Sequence, residues 1–138
     1  MVDARLIAGE LPLAEGYTAL AHPACGGMAT FVGTVREATE GRSVTALAFE
    51  AYGPMALAEL EAIGAEAAER FDLRAAVLWH GLGERAVGEA VVLTGAAAPH
   101  RDAAFRACRY LIDELKARAA IWKHERFADG AHWVNAHP

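Results

Sequence analysis

The sequence predicts an α+β fold with a mostly antiparallel sheet and two main amphipathic helices. Segments rich in β-branched and aromatic residues occur in pairs separated by polar or glycine-containing stretches, which is typical of antiparallel strands. Two longer segments carry apolar residues at helical spacing. Strands and helices alternate irregularly, and this order favours α+β over a regular α/β arrangement.

The first half of the chain is expected to contain three strands. Residues 4–8 form a short strand, and residues 12–22 form a short helix after it. Segments 27–37 and 43–52 are rich in β-branched and aromatic residues and flank the polar residues 38–42. This pattern predicts a hairpin with a longer loop.

Pro54 opens the first main helix, since proline suits a first helical turn. Its expected core face is made by apolar residues at helical spacing: Ala56, Leu60, Ile63 and Ala67. Segments 73–80 and 89–98 then predict two more strands, and the glycines between them permit tight turns. A second hairpin follows from this pattern.

The second main helix spans residues 99–118. Ala104, Cys108, Leu111 and Leu115 share one face, whereas Arg106, Arg109 and Asp113 lie opposite. Cys108 is therefore interpreted as a buried, inert thiol in preference to a nucleophile. Residues 121–127 and 132–136 are expected to be extended, with a turn at 128–130.

Composition narrows the function classes. The chain has 138 residues, of which 54% are hydrophobic and 22% charged, and this suits a single domain over residues 1–138. A net charge of -5 gives no basic field for a nucleic acid. No apolar run approaches a membrane span, and the first ten residues lack a secretory apolar region. Only two cysteines are present, which favours a cytoplasmic protein. From the charge and the apolar pattern, we expect no nucleic acid and no membrane partner.

Two groups of basic residues are candidates for binding an anion. Arg36 ends the segment "FVGTVRE" on the strand face that also carries Thr34. His100 and Arg101 occupy the first turn of the second main helix, where free N–H groups favour a phosphate or carboxylate. The helical wheel places Arg101 within the apolar stripe. The alternatives are a solvated strand edge for Arg36 and an ion pair with an internal acid such as Glu50 for Arg101.

A third group lies at the end of this helix and in the extended segment after it: Lys116, Lys123, His124 and Glu125. Neighbours in a strand point to opposite sides, so a buried Trp122 would anchor the segment and direct Lys123 into a cleft. A lysine crowded by cations or desolvated has a lowered pKa and can transfer protons near neutrality. The alternative is an exposed, inert lysine.

Helix length constrains how these groups combine. Arg101 and Lys116 are fifteen residues apart on one helix, which is roughly 22 Å at 1.5 Å per residue. If both serve one site, the simplest arrangement is a symmetric dimer that joins the helix start of one subunit to the helix end of the other. The chain has no dinucleotide fingerprint, P-loop, nucleophile elbow or zinc-ligand spacing, so we expect no metal and no cofactor.

Taken together, several stretches resemble the large, catalytic subunit of the molybdopterin synthase family. They are "FVGTVRE", "VTALAFEAYGPMA", "VGEAVVLTGAAAPHRDAAFRACRYLIDELKARAAIWKHE" and "DGAHWV", in order over about residues 28 to 134. The resemblance implies an α/β hammerhead fold and a sulfurtransferase of molybdenum cofactor biosynthesis. Its substrate would be cyclic pyranopterin monophosphate, which receives two sulfurs to form the dithiolene of molybdopterin.

The resemblance also implies partners and site residues. The sulfur would arrive as a thiocarboxylate on the C-terminal Gly-Gly of a small ubiquitin-like carrier subunit, within a heterotetramer built on a homodimer. The matching motifs place substrate contacts at Thr34, Val35, Arg36, His100, Arg101, Lys116, Lys123, His124 and Glu125. Lys116 would meet the carrier's terminal carbonyl, and Lys123 would assist proton transfer, so these two are the expected catalytic residues.

The chain departs from the family pattern at Gly81, where an arginine is common, and at His124 and His137, where other basic residues are common. The alternative function is a non-catalytic module that uses the same basic residues only to hold a phosphate or nucleotide.

Overall fold

The computed structural model describes all residues from Met1 to Pro138. It contains three helices and nine strands, so the α+β expectation is confirmed. Their bounds are β1 Val2–Ile7, α1 Leu13–Leu20, β2 Gly27–Thr34, β3 Ala38–Thr39, β4 Arg42–Ala51, α2 Gly53–Phe71, β5 Ala75–Gly81, β6 Gly83–Arg85, β7 Ala90–Ala98, α3 Arg101–Arg118, β8 Ile121–Phe127 and β9 His132–Asn135.

The strands form two sheets. The first has the order β1-β5-β7-β2, and only its β1/β5 pair is parallel. The second has the order β3-β4-β8-β9, with β6 also paired to β4. All pairs of the second sheet are antiparallel, so the predicted mostly antiparallel arrangement is confirmed.

Helices cover both faces of the first sheet. Helices α2 and α3 pack together and contact β1, β5, β7 and β2, whereas α1 contacts β5 and β7. Strand β5 is buried along its whole length, and its side chains alternate between these two layers. Ala76 and Leu78 join the large core, and Val77 and Trp79 join a smaller core under α1. No helix is both long and apolar enough to cross a membrane.

Both main helices bury the faces that their apolar spacing predicted. Ala56, Leu60, Ile63 and Ala67 of α2 are fully buried. Ala104, Cys108, Leu111 and Leu115 of α3 are buried too, and burial raises the pKa of the Cys108 thiol. An uncharged, enclosed thiol has little nucleophilic character, which agrees with the interpretation of Cys108 as a packing residue.

The first predicted hairpin is wrong, although both of its strands exist. Strand β2 pairs with β7 in the first sheet, whereas β4 pairs with β8 and β6 in the second. The polar residues between them form their own tight turn, because Glu40 and Gly41 have φ values of 50° and 78°. Two consecutive positive φ angles are the signature of a two-residue hairpin turn. This turn joins the short β3 to β4, and the chain passes from one sheet to the other.

The second predicted hairpin is confirmed. Strands β5 and β7 pair directly, and the glycine-containing loop between them carries the short strand β6. Through β6 this loop also adds to the second sheet, where Leu47 lies opposite Arg85. The hairpin thus links the two sheets.

Burial of the α2 face predicts a specific stability effect. Leu60→Ala should lower the free energy of unfolding by about 2 to 5 kcal/mol, because it leaves a cavity in the core. Glu61→Ala, one residue along on the exposed face, should change it by less than about 0.5 kcal/mol. Urea denaturation followed by circular dichroism measures both. Equal effects of the two substitutions would contradict this packing.

Candidate functional site

A cavity of about 410 Å³ lies where the two sheets meet the C-terminal end of α3. Its wall is half hydrophobic and includes Phe31, Val32 and Phe49. Its ionisable lining comes from separate elements: Arg36 after β2, His80 of β5, Lys116 of α3, and Lys123 and Glu125 of β8. Three cations and one carboxylate therefore share a space large enough for a small-molecule ligand.

The chain has only two lysines, Lys116 and Lys123, and both line this cavity. All other fixed cationic side chains of the chain are arginines. The two ammonium groups are thus concentrated in one place although they belong to different elements. The pKa of an ammonium group responds strongly to its surroundings, whereas a guanidinium group stays protonated. Lysine at these two positions can therefore take part in proton transfer, which arginine could not.

Strand β8 positions Lys123 through strict alternation. Ile121, Lys123, Glu125 and Phe127 point to the core side, and Trp122 points outward. The expectation that a buried Trp122 anchors the segment is wrong, since this side chain is 39% exposed. Ile121 and Phe127, which are both buried, hold β8 in place instead. Alternation puts these apolar anchors on the same side as Lys123, and the residue next to it points the other way.

Glu125 fixes the position of Lys123. Its side chain is buried, and Oε1 lies 3.4 Å from Lys123 Nζ. The other oxygen, Oε2, accepts a hydrogen bond of 2.9 Å from the Thr39 hydroxyl on the β3–β4 hairpin. A buried carboxylate needs such partners because an unpaired one carries a large desolvation cost. The sequence did not single out Thr39, which also lines the cavity.

Lys116 reaches the same cavity from the last turn of α3, and its Nζ donates to the carbonyl oxygen of Pro138 at 3.2 Å. Burial lowers the pKa of Lys116 below its ordinary value, and the nearby positive charges of Lys123 and Arg36 lower it further. The charge of each neighbour disfavours protonation of this amine. Lys123 and Arg36 therefore both act electrostatically on Lys116, as expected for one shared site.

The substrate contacts predicted at Thr34, Val35 and Arg36 divide between the cavity and the core. Thr34 and Arg36 line the cavity. Val35 is 3% exposed and belongs to the large core, so its side chain is not brought to the cavity. Its backbone bonds instead tie the end of β2 to the β6–β7 loop, through Glu89 and Gly88. Val35 thereby orients its two neighbours without lining the site itself.

His100 and Arg101 lie outside the cavity, at the opposite end of α3 from Lys116. Both residues are exposed. The placement of Arg101 within the apolar stripe is wrong, because the buried stripe begins at Ala104 and the backbone of Arg101 packs close to Gly27. Pairing with Glu50 does not occur either, since that carboxylate lies 3.8 Å from His124.

His124 lies on the face of β8 that points away from Lys123. Its Nδ1 is 3.3 Å from Nε2 of His132, and the two rings stack with centroids 5.3 Å apart. His124 does not line the cavity. His137 lines a second, shallower depression, which shares Thr39, Lys123 and Glu125 with the cavity.

His80 is a cavity residue that the sequence analysis missed. It is 1% exposed, packs edge-on against Phe49 with ring centroids 4.8 Å apart, and lines the cavity. The pKa of His80 is lowered to about 4, mainly by burial and in smaller part by the charges of Lys116 and Arg85, while a hydrogen bond to Gly81 acts in the opposite direction. The sequence feature that could have indicated His80 is its position at the end of a predicted strand, directly before a glycine.

Gly81 makes room for a buried guanidinium group. A Cβ atom at this position would lie 2.6 Å from Nη2 of Arg85. Arg85 is 2% exposed, and Nη2 donates to the carbonyl oxygens of Ile7 and Leu82. The departure from the family pattern at Gly81 is therefore accompanied by an arginine four residues later that fills the adjacent space.

No three His, Cys, Asp or Glu side chains of the chain come together in a group that could hold a metal ion. The cavity instead offers cationic side chains, an apolar wall and one buried carboxylate. A cavity of this composition on an α+β scaffold defines a protein that binds an anionic small molecule, and perturbed ionisable groups within it are typical of enzymes.

Comparison with known proteins identifies the family. The family model described as MoaE protein matches residues 7–118. The chain belongs to this family, and the resemblance found in the sequence is confirmed.

Individual relatives agree with this assignment. The chain is 40% identical over 120 residues to a molybdopterin synthase catalytic subunit of Pyrococcus abyssi, covering 87% of this chain and 81% of that protein. A crystal structure of molybdopterin synthase from Staphylococcus aureus superposes with a TM-score of 0.90 at 30% identity, over 96% of each chain. A complex of subunits 1 and 2 of molybdopterin-converting factor from Helicobacter pylori shares the fold, with a TM-score of 0.74 at 24% identity over 98% of this chain and 93% of that one.

The effect of Lys123 on Lys116 leads to a titration prediction. Lys123→Met should raise the pKa of Lys116 toward its ordinary value, because a neighbouring positive charge that lowers it is removed. Arg106→Met, on the exposed face of α3, should leave this pKa unchanged. An NMR titration of the lysine side chains measures it, and in the Lys123→Met variant Lys116 gives the only lysine signal. An unchanged pKa in that variant would show that the two amines do not share a cavity.

Proposed function

We propose that the chain is the catalytic subunit of molybdopterin synthase. It transfers sulfur from the C-terminal thiocarboxylate of a small carrier subunit to cyclic pyranopterin monophosphate, and this forms the dithiolene of molybdopterin in the cytoplasm. The observation that carries the proposal is the convergence of Arg36, Lys116 and Lys123 on one partly apolar cavity. Names of the relatives support the same reaction.

The charges of the cavity suit both substrates. The pterin precursor carries a phosphate, and the sulfur donor carries a thiocarboxylate, so both bring negative charge. A guanidinium group such as that of Arg36 forms paired hydrogen bonds to phosphate oxygens. Lysine ammonium groups stabilise the negative charge that develops on an acyl oxygen during sulfur transfer. The net charge of -5 is therefore compensated locally, where the substrates bind.

The shape of the site supports two directions of approach to Lys123. This side chain lines the enclosed cavity and also the shallower depression that extends along β9 to Asn135 and His137. The reaction brings together a pterin and the extended tail of a protein, so a lysine accessible from two sides fits both. We assign the carrier subunit as the partner of this chain, in line with the two-subunit complex of the Helicobacter pylori protein.

A homodimer completes the site in this proposal. His100 and Arg101 are exposed at the start of α3, and Lys116 lines the cavity at its end. The fifteen-residue separation on one straight helix corresponds to roughly 22 Å. A two-fold contact that brings the start of α3 to the partner's cavity would add two basic side chains to it. Two carriers on such a dimer give the heterotetramer.

The alternative is a module that only binds a phosphate or nucleotide. Binding an anion requires cations but not a lysine held by a buried carboxylate. Glu125 holds Lys123 in a fixed position in the cavity, and the lowered pKa of Lys116 suits an amine that transfers a proton. These features favour the enzyme.

Replacing either amine tests catalysis. Lys116→Ala and Lys123→Ala should each reduce dithiolene pterin formation by at least about 100-fold, as expected for loss of a group that stabilises charge or transfers a proton. Thermal unfolding should show an intact fold. The assay mixes the chain with thiocarboxylated carrier and the cyclic precursor. Arg109→Ala, on the exposed face of α3, serves as the control and should retain activity. Precursor binding without sulfur transfer by the wild type would favour the binding module.

Subunit complementation tests the shared site. Arg101→Ala and Lys116→Ala variants are each expected to be inactive, whereas mixing them should restore up to about a quarter of wild-type activity, because half of the dimers would then be mixed and own one complete site. Fluorescence energy transfer between labelled subunits verifies the exchange. A lack of rescue after verified exchange would place Arg101 outside the active site.

A further inference from the structure

The neutral imidazole of His80 is the one cavity group that the cationic site does not explain. Its ring lines the cavity wall and packs against Phe49, on a strand whose residues are all buried. Arginine and lysine side chains of the cavity donate hydrogen bonds and cannot accept them. A neutral histidine can accept one, so it supplies a different chemical capability.

The hydrogen bond at Nδ1 determines the tautomer of His80. Nδ1 lies 2.7 Å from the carbonyl oxygen of Gly81. A carbonyl oxygen only accepts hydrogen bonds, so Nδ1 carries the hydrogen and Nε2 of the neutral ring has a free lone pair. Arg85 Nε is the only side-chain nitrogen or oxygen that is both closed off from solvent and without a hydrogen-bond partner. Nε2 of His80 has no partner in the chain either, so it is not closed off from solvent. The cavity that His80 lines gives it this access.

Its surroundings keep this ring uncharged at neutral pH. Burial lowers the pKa of His80 to about 4, and the nearby Lys116 and Arg85 contribute in the same direction. Arg85 is fixed in place by its hydrogen bonds to Ile7 and Leu82 and by the space at Gly81. The free lone pair is thus available over the whole physiological range of pH.

The proposed sulfur transfer includes a step that needs such an acceptor, and the following inference rests on that proposed function. When the thiocarboxylate sulfur bonds to a pterin carbon, a carbon–oxygen bond at that carbon breaks, and the oxygen leaves with the electron pair as water after taking a proton from Lys123. The sulfur remains bonded to the acyl carbon of the carrier's last glycine. The product is a thioester that joins carrier and pterin. Release of the carrier requires water to cleave the bond between the acyl carbon and sulfur.

We propose that His80 Nε2 is the general base that activates this water. One O–H of the water donates to Nε2, and its oxygen attacks the acyl carbon while the proton passes to the ring. The tetrahedral intermediate then collapses, and the carbon–sulfur bond breaks with its electron pair on sulfur. The carrier leaves as a carboxylic acid that ionises and gives its proton to solvent, the pterin retains a thiolate, and Nε2 releases the proton it took from water.

The cations around the ring support this role in two ways. Lys116, whose charge acts on His80, stabilises the negative charge that forms on the acyl oxygen. That negative charge also offsets the neighbouring cations, so the proton affinity of the imidazole rises as the water attacks. The base is therefore weak in the resting site and becomes stronger when the reaction requires it.

His80→Asn tests the inference, because the asparagine amide N–H can replace Nδ1–H on Gly81 while nothing replaces Nε2. In a single turnover, thioester formation should stay within about twofold of wild type, and thioester hydrolysis should slow by about 100-fold, as for loss of a general base. Intact-mass spectrometry of quenched samples should show the carrier–pterin adduct accumulating. His22→Asn, at an exposed histidine outside the cavity, should change neither rate.

The outcomes separate the inference from the function on which it rests. Adduct hydrolysis at the wild-type rate in His80→Asn, or an equal slowing of both steps, would overturn the role of His80 alone. A wild-type protein that transfers no sulfur would overturn the proposed function as well. If thermal unfolding shows that His80→Asn does not fold, His80→Gln provides the same test. Its amide oxygen accepts a hydrogen bond near Nε2 but does not take up the proton, so hydrolysis should again be the slower step.

Discussion

The buried carboxylate of Glu125 is the constraint on which the site depends. Arg36, Lys116 and Lys123 repel one another, and Glu125 is the only acidic side chain in the cavity lining. It pairs with Lys123 on one side and accepts a hydrogen bond from Thr39 on the other. One carboxylate thus orients a cation and attaches the β3–β4 hairpin to β8. Three cations against one anion still leave an excess of positive charge, which is what an anionic substrate needs.

Regular secondary structure accounts for most of the remaining geometry. Alternation along β8 sends Lys123 and Glu125 to the same side, while Ile121 and Phe127 secure the strand in the core. The last turn of α3 presents Lys116, and a cation there is favoured by the negative end of the helix dipole. The favourable dipole and the repulsion from neighbouring cations act on the same amine in opposite directions. Burial adds to the repulsion, and the pKa of this amine is lowered as a result.

At position 81, the absence of a side chain leaves space for a neighbouring arginine. Glycine there leaves a space, and the buried Arg85 guanidinium occupies it. The positive charge of Arg85 therefore lies behind the residues that line the cavity. Burial, Lys116 and Arg85 together keep the His80 ring neutral. A cavity with fixed cations and one neutral imidazole can bind anions and still accept a proton. This combination suits a reaction that joins two anions and ends with an attack by water.

The sequence alone determined the fold class, both main helices and their buried faces, and the second hairpin, and it singled out Lys116, Lys123 and Glu125, which all line the cavity. These features follow from local periodicity and from motifs, which involve residues near one another in the chain. Only the tertiary structure decided that β2 and β4 belong to different sheets, that Val35 lies in the core and Trp122 is exposed, and that His80 and Thr39 line the cavity. Strand pairing and the surroundings of a side chain depend on residues distant in the chain. For His80, burial lowers the pKa most, and the charges of Lys116 of α3 and Arg85 of the next strand add to it; no local pattern in the sequence brings these groups together.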